Sequence, residues 1–363
     1  MAIEGEPVRT DTGDCRHWAS LLRNQAITGQ LPSPKRVILE SVATSATSET
    51  PAELLAPAKA VPSLLADYAT LFKIRISTMV IITAAAGFYL GCLRSGVSPL
   101  QLGMVEALFG IAVVTCGSSA LNQALERRSD TFMRRTANRP MATGRIGLGH
   151  GLLLGFAATF LGALILAYVT NPLTGTLTLL TAIAYVAIYT PLKRINSINT
   201  FIGAFPGALP PLIGWTAARG IIEWPGVALF AILFIWQFPH FMAIGWMYRD
   251  DYARAEIRLT ATQEPMQKAA RRTVFQAIVY AVLMVPVSLW PVALGTAGYV
   301  YGGVATILSL GYLWYTLRFA RILRDPESEA SHGYARDLMR ASIIHLPLLL
   351  AAMMLDAKGR LLF

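Results

Sequence analysis

Roughly nine apolar segments, each of about 17–25 residues, constrain the fold of this chain more than any other feature. A helix of about 20 apolar residues crosses the hydrocarbon core of a bilayer, so each segment is long enough to span a membrane. Only 14% of the 363 residues are charged, compared with about a quarter in a soluble domain. The segments lie at 76–93, 100–121, 148–169, 173–190, 197–216, 224–247, 273–294, 296–317 and 341–356. The sequence therefore predicts an all-α polytopic membrane protein, with about nine transmembrane helices bundled around a central cavity.

The positions of the basic residues predict the orientation of these helices. If the N-terminus is cytoplasmic, the loops after the second, fourth, sixth and eighth segments contain six, two, six and five Lys or Arg residues. The loops on the other side contain Arg94 and Arg219, and the C-terminal tail adds Lys358 and Arg360. Because positive residues are enriched in cytoplasmic loops, we expect the N-terminus inside and the C-terminus outside. The expected location is the inner (cytoplasmic) membrane of a cell, with the mitochondrial inner membrane as the alternative.

Residues 1–60 differ in composition from the rest of the chain. They are rich in Ser, Thr, Ala, Pro and charged residues, and they contain no long apolar run. We expect a disordered polar tail over 1–60 and a membrane domain over 61–363. The net charge of +10 does not indicate nucleic-acid binding, because the basic residues lie in short loops between apolar segments. The three cysteines are scattered, so neither a disulfide framework nor a zinc site is expected.

Three oxygen-bearing side chains follow the second apolar segment at intervals of four residues: Asn122, Glu126 and Asp130. On a helix this spacing places them on one face, within an arc of roughly 80°. Ionisable residues close to hydrocarbon are costly and usually mark functional sites. Two carboxylates and an amide offer the hard oxygen ligands that Mg²⁺ prefers. The neighbouring arginines, which suit a diphosphate on a lipid-like tail, are Arg127, Arg128, Arg134, Arg135 and Arg139.

A second acidic cluster, Asp250 and Asp251, follows the sixth apolar segment. If the ends of these two helices face each other, Asp251 would complete a metal site begun by Glu126 and Asp130. Asp250 is the weaker candidate, because adjacent residues on a helix point about 100° apart. The alternative for either cluster is a solvated helix end that serves only membrane topology.

Four further polar residues each admit two interpretations. His240 lies inside the sixth segment, where it is either hydrogen-bonded to a backbone carbonyl or acts as a haem-iron ligand or proton acceptor. Lys193 and Arg194 lie in a very short loop, and Lys73 precedes the first segment. Each of these cations either marks the cytoplasmic side or neutralises phosphate oxygens.

Four runs of sequence together form a recognisable pattern. The first run is Asn122-xxx-Glu126-xxx-Asp130 followed by MRRTANRP at 133–140. The others are YTPLKR at 189–194 with GAFPGALPP at 203–211, WQFPHF at 236–241 with the later Asp251-Tyr252, and ASIIHLPLLL at 341–350. Over about 65–356 the chain thus resembles the UbiA-type intramembrane prenyltransferases, and in particular the protoheme IX farnesyltransferase branch of that family. Two departures are Glu126, where Asp is common, and Lys-Ile-Arg at 73–75 in place of Lys-Pro-Arg.

The resemblance implies transfer of the farnesyl group of farnesyl diphosphate to the 2-vinyl group of haem b, giving haem o and diphosphate. It implies that Glu126, Asp130 and Asp251 hold Mg²⁺ with help from Asn122, and that His240 binds haem. The expected ligands of diphosphate or of the haem propionates are Arg135, Arg139, Lys193, Arg194 and Lys73. The implied partners are the lipid bilayer and a downstream haem a synthase.

Other functions fit parts of the sequence. An aromatic prenyltransferase of quinone biosynthesis would share the first motif. A multi-pass transporter would also place charges beside a cavity, although few counter-ion pairs fall deep within the predicted helices. A non-catalytic haem-binding membrane protein would need His240 but not the face formed by Asn122, Glu126 and Asp130.

Overall fold

The computed structural model describes residues 62–263 and 265–360, and within this part the regular structure is entirely helical. Helices α1 to α11 are Leu64–Leu71, Ile74–Arg94, Leu102–Asp130, Leu148–Thr170, Pro172–Leu192, Asn199–Arg219, Trp224–Met247, Arg249–Arg254, Met266–Ala293, Tyr299–Leu323 and Glu329–Arg360. The all-α prediction is confirmed. The predicted polar tail at 1–60 lies outside the described residues.

Within the described residues, nine helices are long and apolar enough to cross a membrane, namely α2 to α7 and α9 to α11. Their outer faces present large apolar side chains, such as Leu153, Phe156 and Ile307, which are 63–72% exposed. Such faces are stable in hydrocarbon, where helices satisfy their own backbone groups. The chain is therefore a multi-pass membrane protein, and the predicted number of spans is confirmed.

Several helices continue beyond the apolar segments that predict them. Helix α3 runs to Asp130 although its apolar segment ends at 121, and α11 begins at Glu329 although its segment begins at 341. Polar residues at these ends are therefore held on regular helices and not on loops. This extension places Asn122, Glu126 and Asp130 on three successive turns of α3.

Glycines allow α2 and α6 to pack very closely. A Cβ added at Gly87 would lie 1.9 Å from the carbonyl oxygen of Pro211, and one at Gly214 would lie 1.8 Å from that of Ala84. Any larger residue at either position would therefore force the two backbones apart. Small residues at such crossings are the usual means by which membrane helices approach one another.

Helix α6 is continuous although it contains Pro206, Pro210 and Pro211. Proline removes the backbone donor to the carbonyl group four residues earlier in a helix. Membrane helices tolerate proline where neighbouring helices pack against them. Helix α7 packs against α6, and Gln237 Nε2 donates to the carbonyl oxygen of Ala204 at 3.1 Å.

The largest apolar core joins α7 to α9, α10 and α11. Trp246, Tyr301, Tyr312 and Phe319 are almost fully buried within it. Helix α7 packs against both α9 and α11, and α10 packs against α11. This arrangement places α7, which carries His240, beside α11, and the charged residues of α3 lie outside this core.

Candidate active site

The three oxygen-bearing residues of α3 are buried, and each is paired with another polar group. Asn122 and Asp130 are 0% exposed and Glu126 is 9% exposed. Asn122 accepts a hydrogen bond from Lys73 Nζ and donates through Nδ2 to Thr190 Oγ1 at 2.9 Å. The predicted polar face is thus turned into the protein, where its charges require partners.

Two cations from different loops neutralise the carboxylates. Lys193 Nζ donates to Glu126 Oε1 at 2.7 Å. Arg139 Nη1 donates to both oxygens of Asp130 at 2.8 Å and lies 3.9 Å from Glu126 Oε2. Lys193 and Arg139 therefore belong to the charged cluster of α3.

Lys73 is held in an unusual backbone conformation at the start of α2. Its φ of +47° lies in the left-handed region, which non-glycine residues seldom adopt. This turn between α1 and α2 lets Nζ reach Asn122 and donate to Tyr185 OH at 3.2 Å. Burial lowers the pKa of the Lys73 ammonium to about 7, because desolvation disfavours the charged form.

Hydrogen bonds anchor the loop after α3 in a conformation in which the side chain of Arg139 contacts Asp130. Thr136 Oγ1 donates to the carbonyl oxygen of Asp130 at 3.0 Å. Arg145 makes a bidentate ion pair with Asp67 of α1, with contacts of 2.8–3.2 Å, and also donates to the carbonyl oxygen of Asn138 at 2.8 Å. Hydrogen bonds from Arg145 hold the pKa of the Asp67 carboxyl below its ordinary value, and the same contact raises the pKa of Arg145.

Helix α8 is docked against this loop, but Asp251 has a different partner. Arg135 donates to Tyr252 OH at 2.5 Å, and its guanidinium group lies 5.0 Å from the ring centres of both Tyr248 and Tyr252. The carboxylate of Asp251 pairs with Arg254. The structure therefore brings the second cluster to the loop that carries Arg139, while Asp251 itself is neutralised within α8.

The remaining predicted cation, Arg194, has an exposed side chain next to Lys193. Within the described part of the chain, no three or more His, Cys, Asp or Glu side chains are grouped as a metal site. Glu126 and Asp130 nevertheless offer oxygens to one shared cation, the guanidinium of Arg139. The assignment of Glu126, Asp130, Asn122 and Asp251 to Mg²⁺ stays a prediction.

His240 lies apart from the charged cluster, in the membrane-spanning part of α7. Its ring is 4.9 Å from that of Trp236 with an angle of 17° between the planes, and Nδ1 is 2.7 Å from Ser342 Oγ of α11. Its partner is thus a serine side chain and not the backbone carbonyl of the simpler interpretation. His345, one turn further along α11, is 3% exposed and stacks on Tyr312 at 5.0 Å.

Sequence reasoning missed several residues of the site. Tyr185 contacts Lys73, and the ring of Tyr189 lies 4.4 Å from Lys193 Nζ. The two tyrosines are four residues apart on a π-helical stretch of α5, Ala184–Tyr189. Such stretches are often found at functional sites, but the sequence does not distinguish them from α-helix. The available signal was the four-residue spacing of two hydroxyl groups inside an apolar segment.

The fold and the site define a class of protein: a multi-pass α-helical membrane protein with a buried cluster of carboxylates, an amide and cations at one end of α3. The chain matches the UbiA prenyltransferase family over residues 80–340, and it belongs to that family. It is therefore a membrane-embedded prenyltransferase.

Curated relatives share most of their length with this chain. It is 46% identical over 303 residues to the protein named Protoheme IX farnesyltransferase of Koribacter versatilis, covering 84% of this chain and 97% of the relative. It is 39% identical over 306 residues to the protein of the same name from Anaeromyxobacter sp., covering 84% and 98%. The corresponding protein of Solibacter usitatus is 36% identical over 299 residues, covering 81% and 99%.

Solved structures share the fold at low sequence identity. A structure described for digeranylgeranylglyceryl phosphate synthase has a TM-score of 0.66 at 16% identity, covering 81% of this chain and 99% of that one. A UbiA homologue of Aeropyrum pernix has a TM-score of 0.54 at 15% identity, covering 76% and 98%. A UbiA homologue of Archaeoglobus fulgidus bound to GPP and Mg²⁺ has a TM-score of 0.51 at 15% identity, covering 79% and 99%.

Proposed function

We propose that this chain is a protoheme IX farnesyltransferase. It transfers the farnesyl group of farnesyl diphosphate to the 2-vinyl group of haem b, and the products are haem o and diphosphate. The shared name of relatives up to 46% identical supports this reaction. The observation that carries the proposal is the buried polar face of α3, where Asn122, Glu126 and Asp130 contact Lys73, Lys193 and Arg139 respectively.

The chemistry of the reaction explains why such a cluster is useful. The bond between C1 of farnesyl and the diphosphate oxygen breaks, so negative charge develops on the leaving diphosphate. Lys73, Lys193 and Arg139 present donors that would bind its oxygens and stabilise this charge. The vinyl group then forms a bond to C1, and water adds to the resulting cation with loss of a proton. The product carries a hydroxyethylfarnesyl group.

Glu126, Asp130 and Asn122 fit Mg²⁺ by their chemistry and placement. All are oxygen donors on one helix face, and the two carboxylates already surround a shared cationic group, Arg139 Nη1. Asp251 is the proposed fourth ligand, and binding would require it to leave Arg254. When bound, Mg²⁺ would supply positive charge to the leaving diphosphate. The choice of Mg²⁺ is supported by the Archaeoglobus fulgidus homologue, which is bound to GPP and Mg²⁺.

His240 is the proposed contact to haem, and it lies on a helix of the large apolar core. A bulky apolar macrocycle suits that environment better than the charged end of α3 does. Arg135 and Arg194 are proposed to pair with either diphosphate or haem propionate oxygens. Arg135 is already oriented by Tyr248 and Tyr252, whereas Arg194 is exposed.

The proposal also covers the location of the chain and its partners. The loops rich in Lys and Arg support an N-terminus on the cytoplasmic side and a C-terminus outside. We propose the inner membrane of a bacterial cell, a polar tail over 1–60 followed by a membrane domain over 61–363, and a haem a synthase as the enzyme that uses the product.

The deciding experiment is product analysis. Membranes containing the chain are given farnesyl diphosphate, Mg²⁺ and two acceptors, haem b and an aromatic acid, and the extracted products are separated by chromatography and identified by mass spectrometry. We expect haem o, and none from the Asp130→Ala variant. A prenylated aromatic acid from the same membranes, with unchanged haem b, would instead identify a quinone-pathway enzyme.

A further inference from the structure

Ser342 of α11 lies between His240 and the backbone of its own helix. The residue is 0% exposed. Its Oγ is 2.7 Å from His240 Nδ1 and 2.6 Å from the carbonyl oxygen of Met339. Both distances are in the range of hydrogen bonds, so one hydroxyl group serves two partners.

The two contacts together determine which nitrogen of His240 carries the proton. A serine hydroxyl has one proton, and a carbonyl oxygen only accepts, so Oγ–H is donated to Met339. The lone pairs of Oγ then accept a hydrogen bond from Nδ1–H of His240. The reverse arrangement would leave two oxygens 2.6 Å apart with no proton between them. In the neutral imidazole, Nε2 is therefore the nitrogen with a free lone pair.

The same serine also helps to hold the plane of the imidazole ring. Trp236, on which His240 stacks, donates through Nε1 to the carbonyl oxygen of Ser342 at 3.0 Å. Tyr312 OH in turn donates to the carbonyl oxygen of Trp236 at 3.0 Å. In the described part of the chain, Nε2 of His240 makes no hydrogen bond, and the residue is only partly buried. A hydrogen bond thus fixes the Nδ1 edge of the ring, while Nε2 has no hydrogen-bond partner among the described residues.

We propose that Ser342 is a positioning residue, which sets the Nδ1–H tautomer of His240 and directs the Nε2 lone pair to the iron of the haem substrate. The inference rests on the proposed function, because it takes haem as the acceptor. A hydrogen bond accepted from Nδ1–H makes a histidine ligand more basic and fixes its orientation. Ser342 does not itself touch the haem.

The test uses the purified full-length chain loaded with haem b. The iron–histidine stretching band of the ferrous complex is recorded by resonance Raman spectroscopy, and haem affinity is measured by titration. In Ser342→Ala we expect the band at lower frequency and about tenfold weaker affinity or more, the usual effect of removing such a partner. Ser342→Thr keeps a hydroxyl acceptor and should restore both values.

Ser309→Ala is the matched control. Ser309 is also 0% exposed, and it donates to Ser288 Oγ at 3.0 Å between α10 and α9. Removal of this buried membrane hydroxyl should leave the iron–histidine band unchanged. A difference between the Ser342 and Ser309 variants therefore reports the contact with His240 and not a general loss of packing.

A wild-type band and affinity in folded Ser342→Ala would overturn the proposal. If that variant does not fold, Ser342→Cys has nearly the same size and a weak acceptor, and a wild-type band there overturns it equally. Survival of the band in His240→Ala would instead show that the haem contact proposed for His240 is wrong. Nitrogen-15 NMR of His240 in the haem-free chain tests the role of Ser342 independently of the haem contact. A proton on Nε2 would contradict the proposed Nδ1–H tautomer, whichever residue binds haem.

Discussion

Arg139 Nη1 lies 2.8 Å from both carboxylate oxygens of Asp130, nine residues earlier in the chain. The side chain of Asp130 is 1% exposed, so its charge depends on this partner. Glu126 is paired with Lys193 at 2.7 Å and lies 3.9 Å from the same Arg139 Nη1. The site therefore holds its negative groups in buried ion pairs, and removal of one member leaves the other uncompensated.

Asp130→Ala should reduce haem o formation by about a thousandfold or more, the scale of losing a principal charge-stabilising group. The apolar spans are untouched, so the variant should still insert in the membrane. Asp337→Ala is the control, because Asp337 is half-exposed and lies 3.7 Å from Arg318, outside the cluster. Product formation is measured in membranes with equal amounts of each protein. Near-normal turnover by Asp130→Ala would contradict the proposed site.

Arg139→Lys should lower the rate by about a hundredfold while the topology stays unchanged. Lysine keeps the positive charge but loses the planar group that contacts both oxygens of Asp130. Arg134→Lys, an exposed arginine of the same loop, is the matched control. Rates and protease accessibility of the loops are measured for both variants. Equal rates for the two would make Arg139 a topology marker only.

The affinity for farnesyl diphosphate should fall as pH rises above about 7, because burial lowers the pKa of Lys73 to about 7. An anionic ligand favours the protonated lysine, which becomes scarce above that pKa, by up to tenfold per pH unit. Lys73→Arg should remove this component, since arginine stays charged. Binding is measured for both proteins across the same pH range, so the titration of the substrate itself cancels. Parallel pH profiles would show that Lys73 does not titrate on binding.

The sequence predicts the spans and the carboxylate face because both depend on local periodicity. Helix α3 extends to Asp130, so the four-residue spacing places Asn122, Glu126 and Asp130 on one helix face, as expected. The pairing of Asp67 with Arg145 was not predictable in this way, because 78 residues separate them and neither lies in a periodic pattern. The pairing of Asp251 with Arg254 was likewise not predictable, since side-chain pairing depends on how α8 packs against the loop after α3.

Asp67→Asn should loosen the loop that carries Arg139, because it removes the charge that Arg145 contacts. The folded pKa of Asp67 is lowered, so its stabilising contribution is present above the unfolded value of about 3.9. It is lost as pH falls through the lower folded pKa. We expect a lower Tm and faster tryptic cleavage of the loop at neutral pH, and a smaller Tm difference from the wild type in strong acid.

A charge swap provides the control for this ion pair. Asp67→Arg combined with Arg145→Asp exchanges the two charges and should recover part of the lost Tm, whereas either change alone should not. No difference in Tm between Asp67→Asn and the wild type at neutral pH would show that the pair does not anchor the loop.

Haem binding and diphosphate binding should be separable by two single substitutions. His240→Ala should remove a histidine-type absorption shift on addition of haem but keep farnesyl diphosphate binding, because the charged cluster of α3 is untouched. Asp130→Ala should keep the haem absorption shift but lose farnesyl diphosphate binding. His345→Phe is the informative comparison, since it keeps an aromatic ring against Tyr312 but no nitrogen. If the shift survives in His240→Ala and is lost in His345→Phe, the iron ligand is His345, and the farnesyltransferase proposal stands with a different haem contact.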